Sequence, residues 1–451
     1  MPKDPYILHK ENVLDPPPGF RKKLKFLGPS LILSASIVGS GELIATTTLG
    51  AKAGFVTFWV ILVSCLVKVA VQMEMGKHTI LSGETAMQAF NKLPGPRIGR
   101  ARWSVWLVLM VMIIKLLQMG GIVGGVALIL NMVLPQVSVS FWAFLVAVVV
   151  ALMTFKGYYK FIEKFSIVLI ALFTVFTFLA LYFLKYTEYT LIWSDVSSGL
   201  TFQLPAAAVA IAIGAFGITG VGADEIIHYN YWCLEKGYAT FTGPYEDTPE
   251  WTRRARGWIK VMYLDALVAM VIYTVVTAAF YLLGAAVLHA QDRIPEGYEM
   301  IESLSMMYTE SIGPEAKPVF LLGSFMVLFS TLFAALAAWT RQYSDMFGQL
   351  GWIDFFDTKQ RLWSISVMAW LLPLLWASFF VFIKLPVMMI ISGGIVGSVL
   401  LLLVVFATLH FRYRRTLPAF APSKLYDIIL WISVLAIGWV AVYGLYQLVN
   451  W

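Results

Sequence analysis

A glutamate at residue 42 lies at the centre of an apolar stretch, in the run Gly39-Ser40-Gly41-Glu42. A carboxylate at mid-membrane depth costs about 2.5–3.5 kcal/mol on insertion scales. Each flanking glycine weakens a helix by up to about 1 kcal/mol. A chain that keeps both is expected to turn backbone carbonyls and a negative charge toward something that crosses the bilayer, and a cation is the natural candidate. The competing reading is structural: a carboxylate buried against a lysine or a helix N-terminus.

A second acidic centre follows a glycine run, Gly217-Ile218-Thr219-Gly220-Val221-Gly222-Ala223-Asp224-Glu225. Adjacent acids on a helix point about 100° apart, so one of the pair, Asp224 or Glu225, is expected to share a site with Glu42. His228 is four residues after Asp224 and three after Glu225, on a face common to both. It is a candidate proton carrier or supporting partner, or a histidine satisfied by a carbonyl at a helix end.

The donors gathered this way are oxygens: the carboxylates of Glu42 and Asp224 or Glu225, and carbonyls freed near Gly39 and Gly220. Neither interruption contains Cys, Met or His. Oxygen ligation favours hard cations: Mg²⁺, Ca²⁺ and, less strictly, Mn²⁺. Mg²⁺ is often held by one or two carboxylates while keeping several waters, which suits a wide glycine-lined site. Lys115 is a further intramembrane charge, about 18 Å along its helix from Trp103. Pairing with one of the acids explains it better than reaching back to the interface. Lys68, nearer the end of its segment, is expected to reach that interface.

These residues require helices that cross a membrane. Of 451 residues, 59% are hydrophobic and 13% charged, with a mean hydropathy of +0.78. That excludes a soluble enzyme or nucleic-acid-binding protein. Eleven apolar segments are expected, at 27–51, 54–74, 103–133, 139–155, 161–184, 200–234, 258–288, 318–340, 362–382, 386–410 and 426–449. Residues 1–26 form a polar, basic tail without the apolar core of a signal peptide. Most of the 33 Lys and Arg fall in this tail and in loops on the same side, whereas the opposite loops hold Lys52, Lys185, Arg293, Lys317 and Lys384. The bias places the N-terminus in the cytoplasm and, after eleven spans, Trp451 outside. The +7 net charge thus reflects topology. Cys65 and Cys233 form no disulfide framework or thiolate site. The external loop 289–317 is acidic, which either concentrates cations at an entrance or is ordinary solvated surface.

Segments one and six are both interrupted by glycine and five spans apart, so they enter from opposite sides. That is the pattern of an inverted repeat, 27–190 against 200–410, with 426–451 as an added span. Matching interruptions in two halves point to a transporter's binding site.

With these features the chain resembles the NRAMP family of divalent metal transporters. Gly28-Pro29 before Gly39-Ser40-Gly41-Glu42 is similar to the family's GP pair and Asp-Pro-Gly-Asn motif, of which only the third residue is kept. The family's Met-Pro-His in segment six falls at Ala223-Asp224-Glu225, or two residues earlier, and either way the methionine ligand is gone. Residues 329–338 are similar to the family's Ser-Thr-Leu-Thr-Gly-Thr stretch. Gln118 and Gly121 stand where third-span acids couple metal to protons in family members. The resemblance therefore implies an all-α, leucine-transporter-type fold with helices 1 and 6 broken, and it points to the magnesium-transporting branch.

The expectation is a monomeric plasma-membrane importer of Mg²⁺, also Mn²⁺, working by alternating access without proton coupling and needing no cofactor. Glu42, Asp224, Gly39, Gly220 and Ala223 would contact the ion. Ser40, Gly41, Glu225, His228, Lys115, Gln118 and Gly121 would line the pathway or support them. The alternatives are a proton-coupled Mn²⁺/Fe²⁺ transporter, an organic-substrate symporter of the same fold, and an integral-membrane enzyme. For the last, His78, Glu84 and the 235–257 loop form no recognised motif.

Overall fold

The computed structural model describes residues 4–155, 159–421 and 423–449. Trp451, Lys156 and the side chain of Ser40 lie outside the described set. Apart from a two-residue hairpin, Arg97–Ile98 against Ala101–Arg102, the described regular structure is helical.

The helices follow the apolar runs, but many extend past them. The second segment is Phe58–Ser82, the seventh Pro249–Leu283 continued by Gly284–Leu288, and the eighth Ala316–Leu350. Apolarity ends where charge begins, whereas backbone hydrogen bonding continues through charged residues at the bilayer surface. The third (Trp103–Val133), fourth (Val139–Phe155) and tenth (Pro386–His410) segments have the expected bounds. The fifth is Tyr159–Phe183, the ninth Thr358–Ile383 and the eleventh Lys424–Val449. By length and composition, eight stretches among the described residues can cross a membrane, with Gly41–Ser82 counted as one.

The two interruptions differ in kind. Segment six is two helices, Val209–Ile218 and Ala223–Lys236, separated by the non-helical residues 219–222. Gly220 takes φ +66°, a left-handed conformation that a residue without Cβ adopts freely. Segment one does not open. Its α-helix Pro29–Ile37 passes into a π-helix, Val38–Thr46, and then into α-helix Thr47–Ala53. A π-helical stretch widens a helix without breaking it, and often marks a functional position.

Segments one and six lie at the centre. The π-helix packs against the seventh and eighth segments, and Val209–Ile218 packs along the tenth. The third segment lies between the tenth, ninth and eighth, while the eleventh rests on the second and tenth. The acidic loop 289–317 is not simple solvated surface. It contains a helix, Met300–Ile312, whose Met300, Ile301, Leu304, Met307 and Tyr308 are buried.

Candidate functional site

Gly39 and Gly41 serve close packing. A Cβ on Gly39 would overlap Thr331 of the eighth segment, and one on Gly41 would stand 2.9 Å from the Ile218 carbonyl oxygen. Two carbonyls of the interruption, those of Gly41 and Glu42, accept side-chain bonds. Thr46 Oγ1 donates to the Gly41 carbonyl (2.9 Å) and Thr47 Oγ1 to that of Glu42 (3.3 Å). Each reaches back five residues, as the wider π-turn requires.

Glu42 is fully buried. Its Oε1 accepts from the Gly220 backbone N–H (3.2 Å) and from Thr277 Oγ1 of the seventh segment (3.0 Å). Its Oε2 has no hydrogen-bond partner. An unpartnered buried carboxylate oxygen is costly, which marks it as a position where a donor or cation is called for. Gly220 therefore meets Glu42 as a donor through N–H, and Glu42 binds the first segment to the break in the sixth.

Lys68 departs from expectation. It does not reach the interface but is fully buried, with Nζ donating to the carbonyls of Phe216 (2.6 Å) and Thr219 (2.7 Å). Ser64 Oγ donates to the same two carbonyls, at 3.0 and 2.9 Å. These are carbonyls at the C-terminal end of Val209–Ile218, which a helix leaves unsatisfied. An ammonium from the neighbouring segment meets that need.

Asp224 and Glu225 occupy the first turn of Ala223–Lys236, where the helix dipole favours acids. Ala223 itself is buried at the helix start. Asp224 Oδ1 pairs with Lys115 Nζ, both buried. The lysine thus finds one of its expected partners. Asp224, Glu225 and His228 border an enclosed cavity with Gln118, Met119, Ile122, Thr331, Ala335 and Trp339. It has room for about one water molecule. His228 Nε2 is hydrogen-bonded to Gln342 Oε1 (2.7 Å), and Gln118 Oε1 is buried without a partner. Gly121 lies apart from the cavity, packed against the Pro386 carbonyl and Ile390.

The acids therefore stand in two groups. Glu42 faces the second and seventh segments, and Asp224 and Glu225 face the third and eighth. Lys68 is bonded to the break itself, at the Phe216 and Thr219 carbonyls. Among the described residues, no three His, Cys, Asp or Glu side chains converge as a metal cluster.

Several residues here carry no motif in the sequence. Thr277 and Gln342 are ordinary polar positions in long helices. Met119 of the third segment is a lining residue of the cavity, although neither interruption contains sulfur. Asp265 did offer a signal, a carboxylate within an apolar run. It accepts from the backbone N–H groups of Gly28 (2.8 Å) and Ser30 (2.7 Å) and from Tyr229 Oη (3.1 Å), capping the first segment.

The face carrying the N-terminal tail is tied shut. Asp4 bonds Arg361 (2.6 Å), and Tyr6 Oη and Arg341 both bond Glu235. Glu84 holds Arg415 through both oxygens, along with Lys92 and His78. On the opposite face a pocket of about 600 Å³ opens among Thr48, Ile211, Ile294, Met388 and Ile395. Its lining is apolar, and among the described residues its acid is Glu296. Below it, Gly214 and Gly217 press against Gly394 of the tenth segment so closely that a Cβ on Gly217 or Gly394 would overlap backbone.

Residues 30–447 match the family model described as natural resistance-associated macrophage protein-like (Nramp). An uncharacterised protein of Pasteurella multocida (strain Pm70) is 23% identical over 339 residues, 71% of this chain and 70% of that one. The fold is similar to a manganese transporter of Eremococcus coleocola, with TM-score 0.68 and 15% identity over 97% of this chain and 90% of that one. It is also similar to Mhp1, a nucleobase-cation-symport-1 family transporter in a closed conformation with bromovinylhydantoin bound. There the TM-score is 0.57 and the identity 14%, over 97% and 93% of the two chains.

Proposed function

The chain belongs to the Nramp family of membrane transporters, and from that premise we propose that its cargo is a hard divalent cation, Mg²⁺ first and Mn²⁺ second, moved by alternating access. The metal is cargo, so transport needs no resident cofactor. The observation that carries the reading is the Asp224–Lys115 pair at the sixth-segment break. A buried carboxylate there is held by a positive charge in a cavity with an unpartnered amide oxygen from Gln118. The structural similarity to a manganese transporter supports a divalent cargo, and Met119 at the cavity supports Mn²⁺ beside Mg²⁺.

The ion would bind as the two segments move apart. Asp224 and Glu42, with its unpartnered Oε2, would supply carboxylate oxygens. The backbone at Gly39, Gly220 and Ala223 would form the wall, and Ser40, Gly41, Glu225, His228, Gln118 and Gly121 the approach. Residues 27–190 and 200–410 would act as inverted halves within a monomer in the plasma membrane, with the tail in the cytoplasm. Uptake would run down the membrane potential, worth about 4.6 kcal/mol per 100 mV for a divalent ion.

A second reading has its own support. Cargo reaching Asp224 must displace the Lys115 ammonium, and release of that proton would make transport a metal–proton exchange. Proteoliposomes with a pH dye inside, given Mg²⁺ or Mn²⁺, separate the two. Metal uptake without proton movement is expected, and stoichiometric proton movement would establish exchange. Full transport by Glu42→Gln and Asp224→Asn would overturn the site, and absence of flux for either metal would overturn the cargo.

A further inference from the structure

The Lys68 ammonium sits where a free cation would be expected, and the site around it is built from oxygen. The half-helix Val209–Ile218 ends deep in the protein, with its negative dipole end unsolvated. The Phe216 and Thr219 carbonyls point at Nζ from 2.6 and 2.7 Å, and Ser64 Oγ lies against both. The Thr219 hydroxyl, bonded to Thr46 Oγ1 at 3.0 Å, borders the same break. The Glu42 carboxylate stands one residue further along the same break, its Oε1 accepting from the Gly220 N–H (3.2 Å) and its Oε2 unpartnered. The Phe216 ring closes one side, its centroid 4.9 Å from Nζ. Carbonyl, hydroxyl and carboxylate oxygens are the donors that hard cations take.

We propose that Lys68 is a resident cation: its tethered ammonium fills, in place of a free alkali ion, a cation site formed by the Phe216 and Thr219 carbonyls, with the Glu42 carboxylate beside the same break. Ser64 and Lys68 are four residues apart on one helix face, so a single face of the second segment delivers both the hydroxyl and the charge. A tethered cation does not dissociate, so the site is filled at every salt composition. The wild-type chain is therefore indifferent to Na⁺ and K⁺ at this position. Shortening the side chain leaves the oxygens, the helix end and Glu42 in place, with room and charge for an alkali ion.

The test is the thermal stability of the purified full-length protein, measured without divalent cations in NaCl, KCl or choline chloride at equal ionic strength. That readout does not depend on what the cargo is. Wild type and Lys68→Arg, which keeps the charge, should melt at the same temperature in all three salts. Lys68→Ala should melt lower in choline and recover by several degrees, saturably, in NaCl or KCl. Lys68→Met, which fills the space without charge, should recover less. Recovery of Lys68→Ala only when it is purified in an alkali salt supports the proposal equally. A Lys68→Ala protein indifferent to the salt, or one that folds in none of them, overturns it. So does a wild type that is itself stabilised by Na⁺ or K⁺ over choline.

Discussion

Lys115→Met isolates the central pair. The substitution keeps much of the side chain's apolar volume and removes the ammonium, leaving Asp224 buried and without its ion partner. Breaking a buried pair by removing one member costs about 3–5 kcal/mol, because the remaining charge is uncompensated. A divalent cation that binds Asp224 should return part of that loss. At a concentration of about 100 Kd, binding to the folded state alone is worth about 2.7 kcal/mol. Melting followed by the fluorescence of the 16 tryptophans should show Lys115→Met well below wild type in a chelator and substantially restored by Mg²⁺ or Mn²⁺. The double variant Lys115→Met/Asp224→Asn should regain stability without metal and lose the metal response. A Lys115→Met protein as stable as wild type in chelator would refute the pair's energetic role. One that is destabilised but indifferent to both metals would refute Asp224 as a cation ligand.

Glu84→Gln probes the closed tail-side face. Burial alone raises the Glu84 carboxyl pKa, but bonds from His78, Arg415 and Lys92 outweigh it and hold it well below the usual carboxylate range. A depressed folded-state value means the stabilisation is complete above the unfolded-chain value of about 4.3 and is lost as pH falls below it. Glu84→Gln should cost about 2 kcal/mol near neutral pH and flatten the acid limb of the stability–pH profile. An unchanged limb would argue against it. Gly217→Ala should open the seam with Gly394 and cost about 1–3 kcal/mol by overpacking, whereas Gly438→Ala, with open space around it, should be neutral or slightly stabilising. Equal melting temperatures for the two would contradict the seam. Thr277→Val removes one of the hydrogen bonds to Glu42 and should cost about 1–2 kcal/mol. A melt matching wild type would show that the bond contributes nothing.

Fold class and segment positions were legible because a bilayer imposes long apolar runs and each run becomes a helix. The third, fourth and tenth segments matched the expected bounds, while the second and eighth ran on through charged residues that hydropathy excludes. The glycines at the two interruptions were visible, but their uses differ. Gly220 takes a left-handed turn, whereas Gly39 and Gly41 let other elements approach a helix that stays closed. Residue types alone do not separate a glycine that bends from one that admits a neighbour.

By itself the sequence determined that carboxylates and lysines lie inside membrane helices, because a charge in an apolar run is visible without any structure. It also favoured an acid as the partner of Lys115, since its depth makes reaching back to the interface costly. Only the tertiary structure decided which acid that is, that Lys68 turns inward to the broken helix instead of outward, and that Glu42 and Asp224 stand on different sides of the break. Pairing depends on distances between segments far apart in the chain. A charge's depth is a local property, but its partner is set by how helices pack.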